Sequence, residues 1–327
     1  MSALIVVLTV VNCIVWTVNS VSFWQVGIKM PDYPIFANWI GIIPYVLFIP
    51  LLPWRPNRLL LRIHLLLIAY TILSAGDSVL EIIADSNTGG VVQAICSTAV
   101  PIPFIALLTW IVFKRRPTIF EIIGSVIVMA GSGLIIFESE GIYVNWWIIA
   151  YIAGLILGCV YTIIWEYIFI NYPETEVVHV MGWTTLYSFP LYFLTIFING
   201  SNVWQNQANG FRCFFGQHPL PPGCSEGAWI PLVVYSLSSV VSDVVQLYFV
   251  KNDSAYFLII ADTLTTPLTS IVMSFQWLFG SSAEPITWYT IVSCLLIITG
   301  ILVYKLGEIM WDGCVRRGYQ RIHVLSR

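Results

Sequence analysis

Ten runs of mostly apolar residues, each close to the ~20 residues a helix needs to cross a hydrocarbon core, account for most of this 327-residue chain. They cover roughly 3–28, 35–53, 61–84, 89–113, 118–137, 146–170, 178–199, 229–250, 255–279 and 287–306. The short alternating segments of a membrane barrel are absent from this pattern. Within the apolar runs a few polar positions recur. Asp77 is followed by Pro101 and Asp243 by Pro267; both gaps are 24 residues, and the pairs are offset by 166 positions, about half the chain. A carboxylate inside a membrane segment is costly and usually functional. Its recurrence predicts a duplicated all-α membrane protein with a site between its halves, the arrangement of secondary transporters.

Five stretches per half is an odd number, so the second copy enters the membrane with opposite orientation. The expected organisation is an N-terminal repeat over 1–145 and a C-terminal repeat over 146–327, packed as one transmembrane unit. Other positions repeat as well. Thr88-Gly89 matches Ser254-Ala255 between consecutive stretches, and Pro117 before the fifth corresponds to Pro285 before the tenth. Gly124, Gly131, Gly133 and Gly300 fall in the fifth and tenth, and Gly154 and Gly158 form a GxxxG in the sixth. Small residues let membrane helices approach closely. Pro101, Pro103 and Pro267 fall inside the fourth and ninth stretches, where proline removes a backbone hydrogen bond and kinks the helix. The freed carbonyls need polar neighbours, and Thr98, Thr265 and Thr266 are close in sequence.

Composition agrees with the pattern: 58% of residues are hydrophobic and 9% charged, against ~25% charged in a soluble chain, and mean hydropathy is +0.85. Nothing marks a nucleic-acid partner; the lipid bilayer is the expected environment. The first run lacks a basic flank and a small-residue cleavage site, so it reads as a retained helix. With both termini in the cytosol, Arg55, Arg58, Arg62, Lys114, Arg115, Arg116, Lys251, Lys305, Arg316, Arg317, Arg321 and Arg327 fall on the cytosolic side. Only Lys29 and Arg212 fall opposite, so 12 of the 14 basic residues are cytosolic, as the positive-inside rule requires. Arg316, Arg317 and Arg321 form a short basic tail suited to this topology or to anionic lipid.

The single long loop, 200–228, is then non-cytosolic. It holds Cys213 and Cys224 in GFRCFFGQHPLPPGC, and an oxidising compartment favours a disulfide between them. Cys13, Cys96, Cys159, Cys294 and Cys314 read as packing residues. No cysteine or histidine grouping has metal spacing, so neither metal nor cofactor is expected. Asn199 begins a glycosylation sequon at the loop's edge; a second sequon at Asn252 falls on the cytosolic side.

Asp77 and Glu81, four residues apart, share a helical face. Glu166, Asp243 and Asp262 lie in the sixth, eighth and ninth stretches, and no basic residue sits in the middle of any stretch. This predicts a cavity of net negative character, suited to cationic or zwitterionic solutes and able to bind protons. Asn12, Asn19, Gln25 and Gln93 are candidate lining amides, or bonds between helices. His64 and His179 lie near stretch ends and read as interfacial.

GFRCFFGQ at 210–217, Cys224 and EGAW at 226–229 resemble the lumenal loop of the chloroquine-resistance-transporter-like family of the drug/metabolite transporter superfamily. SAYFLIIADTLTTPLTSIV (254–272) and EPITWYTIVSCLLIITGILVYKLGE (284–308) are similar to its last two helices, and WEYIFINY (165–172) to the end of its sixth. The resemblance implies the drug/metabolite transporter fold, with ten helices in two inverted five-helix repeats and an acidic central cavity. It further implies proton-coupled movement of amino acids, small peptides or cationic compounds out of an acidic vacuole- or lysosome-like lumen by alternating access. It places an acid at Glu166, and an alignment slip makes Ser242 an equivalent of Asp243. Members often have two disulfides in this loop, whereas this chain has cysteines for one. The expected partners are the small-molecule substrate and protons, and the expected state is a monomer or weak dimer.

Two other readings compete. A nucleotide-sugar or other metabolite carrier of the same superfamily would handle anions and want Lys or Arg inside the helices. A receptor or scaffold would bind without transporting. An intramembrane aspartyl protease is disfavoured because no Tyr-Asp or Gly-x-Gly-Asp motif is present, and the chain is not expected to be an enzyme.

Overall fold

The apolar stretches fold as helices, and the described residues contain no strand. The structure is a computed structural model that describes residues 3–52, 61–85, 96–97, 100–134, 146–197, 202–275 and 287–325. Thr88, Gly89, Gln93, Thr98, Asn199, Pro285, Arg55 and Arg58 lie outside the described residues.

Helix α1 spans Ala3–Lys29 and α2 spans Pro34–Gly41, with proline at its first position where the missing N–H costs nothing. The second stretch does not continue as α-helix. Pro44 and Pro50 deny it i→i−4 bonds, and Ile43–Leu51 winds as a 3-10 segment. Helices α3 (Leu61–Asp85), α4 (Pro101–Phe113) and α5 (Ile119–Gly133) complete the first half. Lys114 takes a left-handed conformation after α4 (φ 56°). Thr118 opens α5 with a capping box: its hydroxyl accepts from Glu121 N at 3.2 Å, and Glu121 Oε2 accepts from Thr118 N at 2.7 Å.

The second half holds α6 (Trp147–Asn171), α7 (Val177–Thr195), α8 (Val203–Phe214), α9 (Trp229–Asn252), α10 (Ala255–Asp262), α11 (Thr265–Met273) and α12 (Trp288–Leu325). Seven described segments are long and apolar enough to cross a membrane. Pro34–Leu51 and Ala255–Met273 each count as one, although each is two helical pieces. The fourth and fifth stretches give α4 and α5, of 13 and 15 residues. The seventh gives α7, a continuous helix of 19 residues whose apolar run is broken by Thr184, Thr185 and Ser188.

The three prolines sit at helix starts. Pro101 and Pro103 lie in the first turn of α4, and Pro267 is third in α11. The ninth stretch breaks at Thr263–Leu264 rather than bending within one helix. At the break Thr263 Oγ1 donates to Ile260 O and Thr265 Oγ1 to Asp262 O, both at 2.6 Å, so hydroxyls take carbonyls that lack a helical partner.

The most extensive helix contacts are α5 with α12, α1 with α9 and α3 with α6. Small residues set the first. A β-carbon on Gly124 would meet Gly300 O at 2.7 Å, and one on Gly300 would meet Val128 Cγ2 at 2.6 Å. Ile63, Leu67, Phe169, Val177, Phe249 and Phe257 belong to one buried core. Ile63, Leu67, Val177 and Phe257 lie near the starts of their helices and Phe169 and Phe249 near the ends of theirs, and Ile5 and Leu8 near the start of α1 pack against the same core.

At the opposite end the long loop is structured. Helix α8 lies inside it, and Cys213 is disulfide-bonded to Cys224 with Cα atoms 5.7 Å apart. The loop docks on the ends of α1 and α2. Lys29 Nζ donates to Glu226 O (2.8 Å), Tyr33 Oη to Pro222 O (2.8 Å) and Trp39 Nε1 to Gln207 Oε1 (2.6 Å). Val26, Met30, Phe36, Cys213 and Leu232 form a second buried cluster beneath it.

Candidate functional site

Helical stripes of polar residues converge between the two halves on a cavity of about 210 Å³. On α3 the stripe is Tyr70, Ser74, Asp77, Ser78 and Glu81, a single face repeating every three to four residues. On α9 it is Tyr235, Ser239, Asp243 and Gln246, and on α7 it is Thr184, Thr185, Ser188 and Tyr192. Trp16 and Asn19 come from α1, Tyr45 from the 3-10 segment, and Tyr161 and Trp165 from α6. Among the described residues, three carboxylates line the cavity with five tyrosines and two tryptophans, and no Lys, Arg or His does.

Each carboxylate is held differently. Asp77 lies on the GxxxG face of α6: a β-carbon on Gly154 would meet Asp77 Oδ1 at 3.1 Å, and one on Gly158 would meet Oδ2 at 3.7 Å. The glycines thus leave room for the carboxylate. Tyr161 Oη lies on the same side of Gly158 as Asp77 Oδ2, while Asp77 Oδ1 is buried with no hydrogen-bond partner among the described residues. Leaving such an oxygen unmatched is costly, so it is an open acceptor for a donor entering the cavity. Asp243 accepts from Tyr45 Oη at 2.8 Å, which ties α9 to the 3-10 segment. Glu81, a turn beyond Asp77, is half-buried. Tyr192 Oη joins Ser78 (2.8 Å) and Ser74 (3.2 Å), fixing α7 against α3. Asn19 Nδ2 donates to Ser239 Oγ at 2.6 Å and Ser238 Oγ at 3.2 Å, fixing α1 against α9.

The structure thus brings together Asp77, Glu81 and Asp243. It places three other sequence candidates off the cavity lining. Glu166, next to Trp165, is buried and accepts from Ala255 N at 3.2 Å, at the first turn of α10. Ser254 caps the same turn by accepting from Phe257 N. Ser242 is fully buried on another face of α9, its hydroxyl unpartnered among the described residues. Asp262 Oδ1 accepts from Asn12 Nδ2 at 2.6 Å, at the break between α10 and α11. Pro101, Pro103 and Pro267 do not line the cavity. Among the described residues no group of His, Cys, Asp and Glu is arranged to hold a metal.

The aromatic wall escaped the sequence reading. Tyrosines inside apolar stretches count as bulk hydrophobics, but Tyr70 and Tyr235 fall in register with the serines and aspartates of their helices. That polar stripe at helical period was the available signal.

A sequence profile of the family described as CRT-like, chloroquine-resistance transporter-like, matches residues 4–304. Two similar proteins are Crt homolog 1 and Crt homolog 2 of Dictyostelium discoideum. They are 21% and 23% identical over 74% of this chain, corresponding to 60% and 58% of those proteins. A chloroquine resistance transporter of Toxoplasma gondii is 24% identical over 42% of this chain and 18% of that protein. The chain spans about 60% of the length of the Dictyostelium relatives it matches. A solved crystal structure superposes with a TM-score of 0.65 at 12% identity, covering 92% of this chain and 96% of that one, and so shares its fold.

Proposed function

Since the chain belongs to the chloroquine-resistance transporter-like family of membrane transporters, we propose that its acidic, aromatic cavity carries small cationic or zwitterionic solutes together with protons. The observation that carries this reading is the lining itself: among the described residues it has three carboxylates and no Lys, Arg or His, and Asp77 Oδ1 has no hydrogen-bond partner. An ammonium group satisfies all three features. It supplies donors to Asp77 Oδ1, charge to Asp77, Glu81 and Asp243, and a cation for the tyrosine and tryptophan faces. With the cavity empty, protons are the available counter-charge, so solute and protons act on the same carboxylates. At about 210 Å³ the cavity is below the ~300–1,000 Å³ typical of drug-sized pockets. That favours amino-acid- or small-peptide-like solutes.

The proposed architecture is ten spans in two inverted five-helix repeats. The helix contacts support it. Exchanging the first half's spans for those of the second turns the α1–α9 contact into α6–α3 and leaves α5–α12 paired with itself, and these are the three most extensive contacts. Solute enters from the disulfide-loop end, taken as the lumen of an acidic vacuole- or lysosome-like compartment, with both termini cytosolic. Release requires the core of Leu67, Phe169, Val177 and Phe249 to part as the halves rock, which is alternating access. In this reading Glu166 acts one step from the solute, by holding the start of α10.

Competition for uptake into proteoliposomes tests the charge preference. Lysine- or arginine-like cations and neutral zwitterions are expected to compete, and dicarboxylates and sugar phosphates are not. Preferential uptake of sugar phosphates or nucleotide sugars would replace this reading by the anion-carrier alternative.

A further inference from the structure

Asp262 and Asn12 form a pair that the cavity does not use. Asn12 is completely buried on α1, and its amide donates to Asp262 Oδ1 at 2.6 Å across the α1–α10 contact. Its other amide atom, Oδ1, is buried with no partner among the described residues. A buried acceptor beside a carboxylate is the arrangement that a carboxylic acid, rather than a carboxylate, would satisfy.

The charged surroundings of Asp262 are sparse. On α1 the neighbouring titratable group is Cys13, whose Sγ donates to Ala261 O at 3.8 Å. Helices α4 and α11 contain no titratable residue. On α6, Glu166 engages Ala255 at the other end of α10, about 10 Å away at 1.5 Å per residue. On α9, Asp243 is bonded to Tyr45, and on α12, Lys305 is bonded to Asp253 beyond the start of α10. Among the described residues, no basic side chain is bonded to Asp262.

We propose that Asp262 and Asn12 form a proton-binding site separate from the solute cavity, one turn along α1 from it. With Asp262 ionised, the Asn12 amide donates to it, as seen. When a proton is added to the carboxylate, the amide turns over: Asn12 Oδ1 then accepts from the new carboxyl O–H, and its NH2 leaves the carboxylate. The proton comes from water and resides on Asp262; no covalent bond within the chain changes.

Two features give this exchange a route to the cavity. Asn12, Trp16 and Asn19 lie at i, i+4 and i+7 on one face of α1, and Trp16 and Asn19 line the cavity. Asp262 also ends α10 at the break, where the hydroxyls of Thr263 and Thr265 bond to the carbonyls of Ile260 and Asp262. Broken helices near the middle of the membrane are where transporters bind their coupling ions. Proton binding at Asp262 depends on this pair alone; its coupling to solute movement rests on the transport reading above.

Infrared difference spectroscopy of the full-length protein across a pH step, with protons as the only ligand, tests the site directly. One carboxylic C=O band is expected to disappear in Asp262→Asn while the bands assigned by Asp77→Asn and Asp243→Asn remain. In Asn12→Leu the Asp262 band is expected to persist at higher frequency, because its hydrogen-bond partner is gone. If Asp262→Asn leaves the difference spectrum unchanged, the proposal is overturned. Should Asp262→Asn fail to fold, Asn12→Leu decides alone: no shifted band means no such site. Neither result depends on solute uptake, so failure here leaves the cavity reading standing, and failure of uptake leaves this site standing.

Discussion

The carboxylate of Asp77 rests against Gly154, where a β-carbon would come within 3.1 Å of Asp77 Oδ1 and 3.4 Å of Glu81 Cγ. The glycine is therefore part of the cavity wall, because it lets α6 approach α3 with two carboxylate side chains between them. Gly154→Leu is expected to destabilise the protein by ~1–3 kcal/mol through overpacking and to abolish solute binding. Gly158→Ala, whose β-carbon would sit at an ordinary 3.7 Å from Asp77 Oδ2, is expected to leave stability unchanged or raise it by up to ~1 kcal/mol, because Ala favours a helix interior over Gly. Thermal unfolding in detergent, with and without a competing amino acid, separates the two.

Tyr45 and Asp243 link the 3-10 segment to α9 by a 2.8 Å bond. A hydrogen bond to a charged group contributes ~1.5–3 kcal/mol. Tyr45→Phe and Asp243→Asn are therefore expected to be non-additive by that order in a double-mutant cycle of unfolding. Additive effects would mean the bond does not hold the wall together.

Glu166 serves α10 by accepting from Ala255 N. Glu166→Gln keeps an acceptor oxygen there and is expected to retain solute binding, with stability within ~1 kcal/mol of the parent. Glu166→Ala leaves a buried N–H unmatched and is expected to cost ~1–3 kcal/mol. Loss of solute binding in Glu166→Gln at unchanged melting temperature would move this residue into the solute site.

Lys305 Nζ lies 2.6 Å from Asp253 Oδ2 and 3.8 Å from the centre of the Phe257 ring, with both charged side chains at least nine-tenths buried. Breaking such a pair from one side costs ~3–5 kcal/mol, whereas replacing both partners with neutral groups costs far less. Lys305→Met is accordingly expected to lower the melting temperature sharply, and Lys305→Met with Asp253→Asn to recover much of the loss.

The helical stretches were legible in the sequence because membrane helices must be apolar for about 20 residues. Their interruptions were less so. Pro44 and Pro50 mark the 3-10 segment, but a hydropathy window averages over them. The break at Thr263–Leu264 hides in an apolar run whose threonines satisfy its carbonyls from within. Helix α8 was read as loop because its stretch is polar, although Val203, Gln207, Gly210 and Cys213 recur at helical spacing and are its buried positions. Among the acids, sequence identified every candidate, but not which share a cavity. Asp77 and Asp243 project from polar stripes that run along α3 and α9. Glu166 and Asp262 sit among apolar neighbours, and their partners, Ala255 N and Asn12, become visible only once helices distant in sequence are packed.

The most direct test of the central claim is uptake of a cationic or zwitterionic amino acid into proteoliposomes, with and without a pH gradient imposed across the membrane. Among the described residues the cavity lining holds carboxylates and no Lys, Arg or His, so protons should accompany solute. Accumulation is expected when the side facing the disulfide loop is acidic and should collapse when a protonophore dissipates the gradient. Asp77→Asn is expected to lose this accumulation. Equal uptake at every gradient by the parent protein, or full gradient-driven accumulation by Asp77→Asn, would contradict the account.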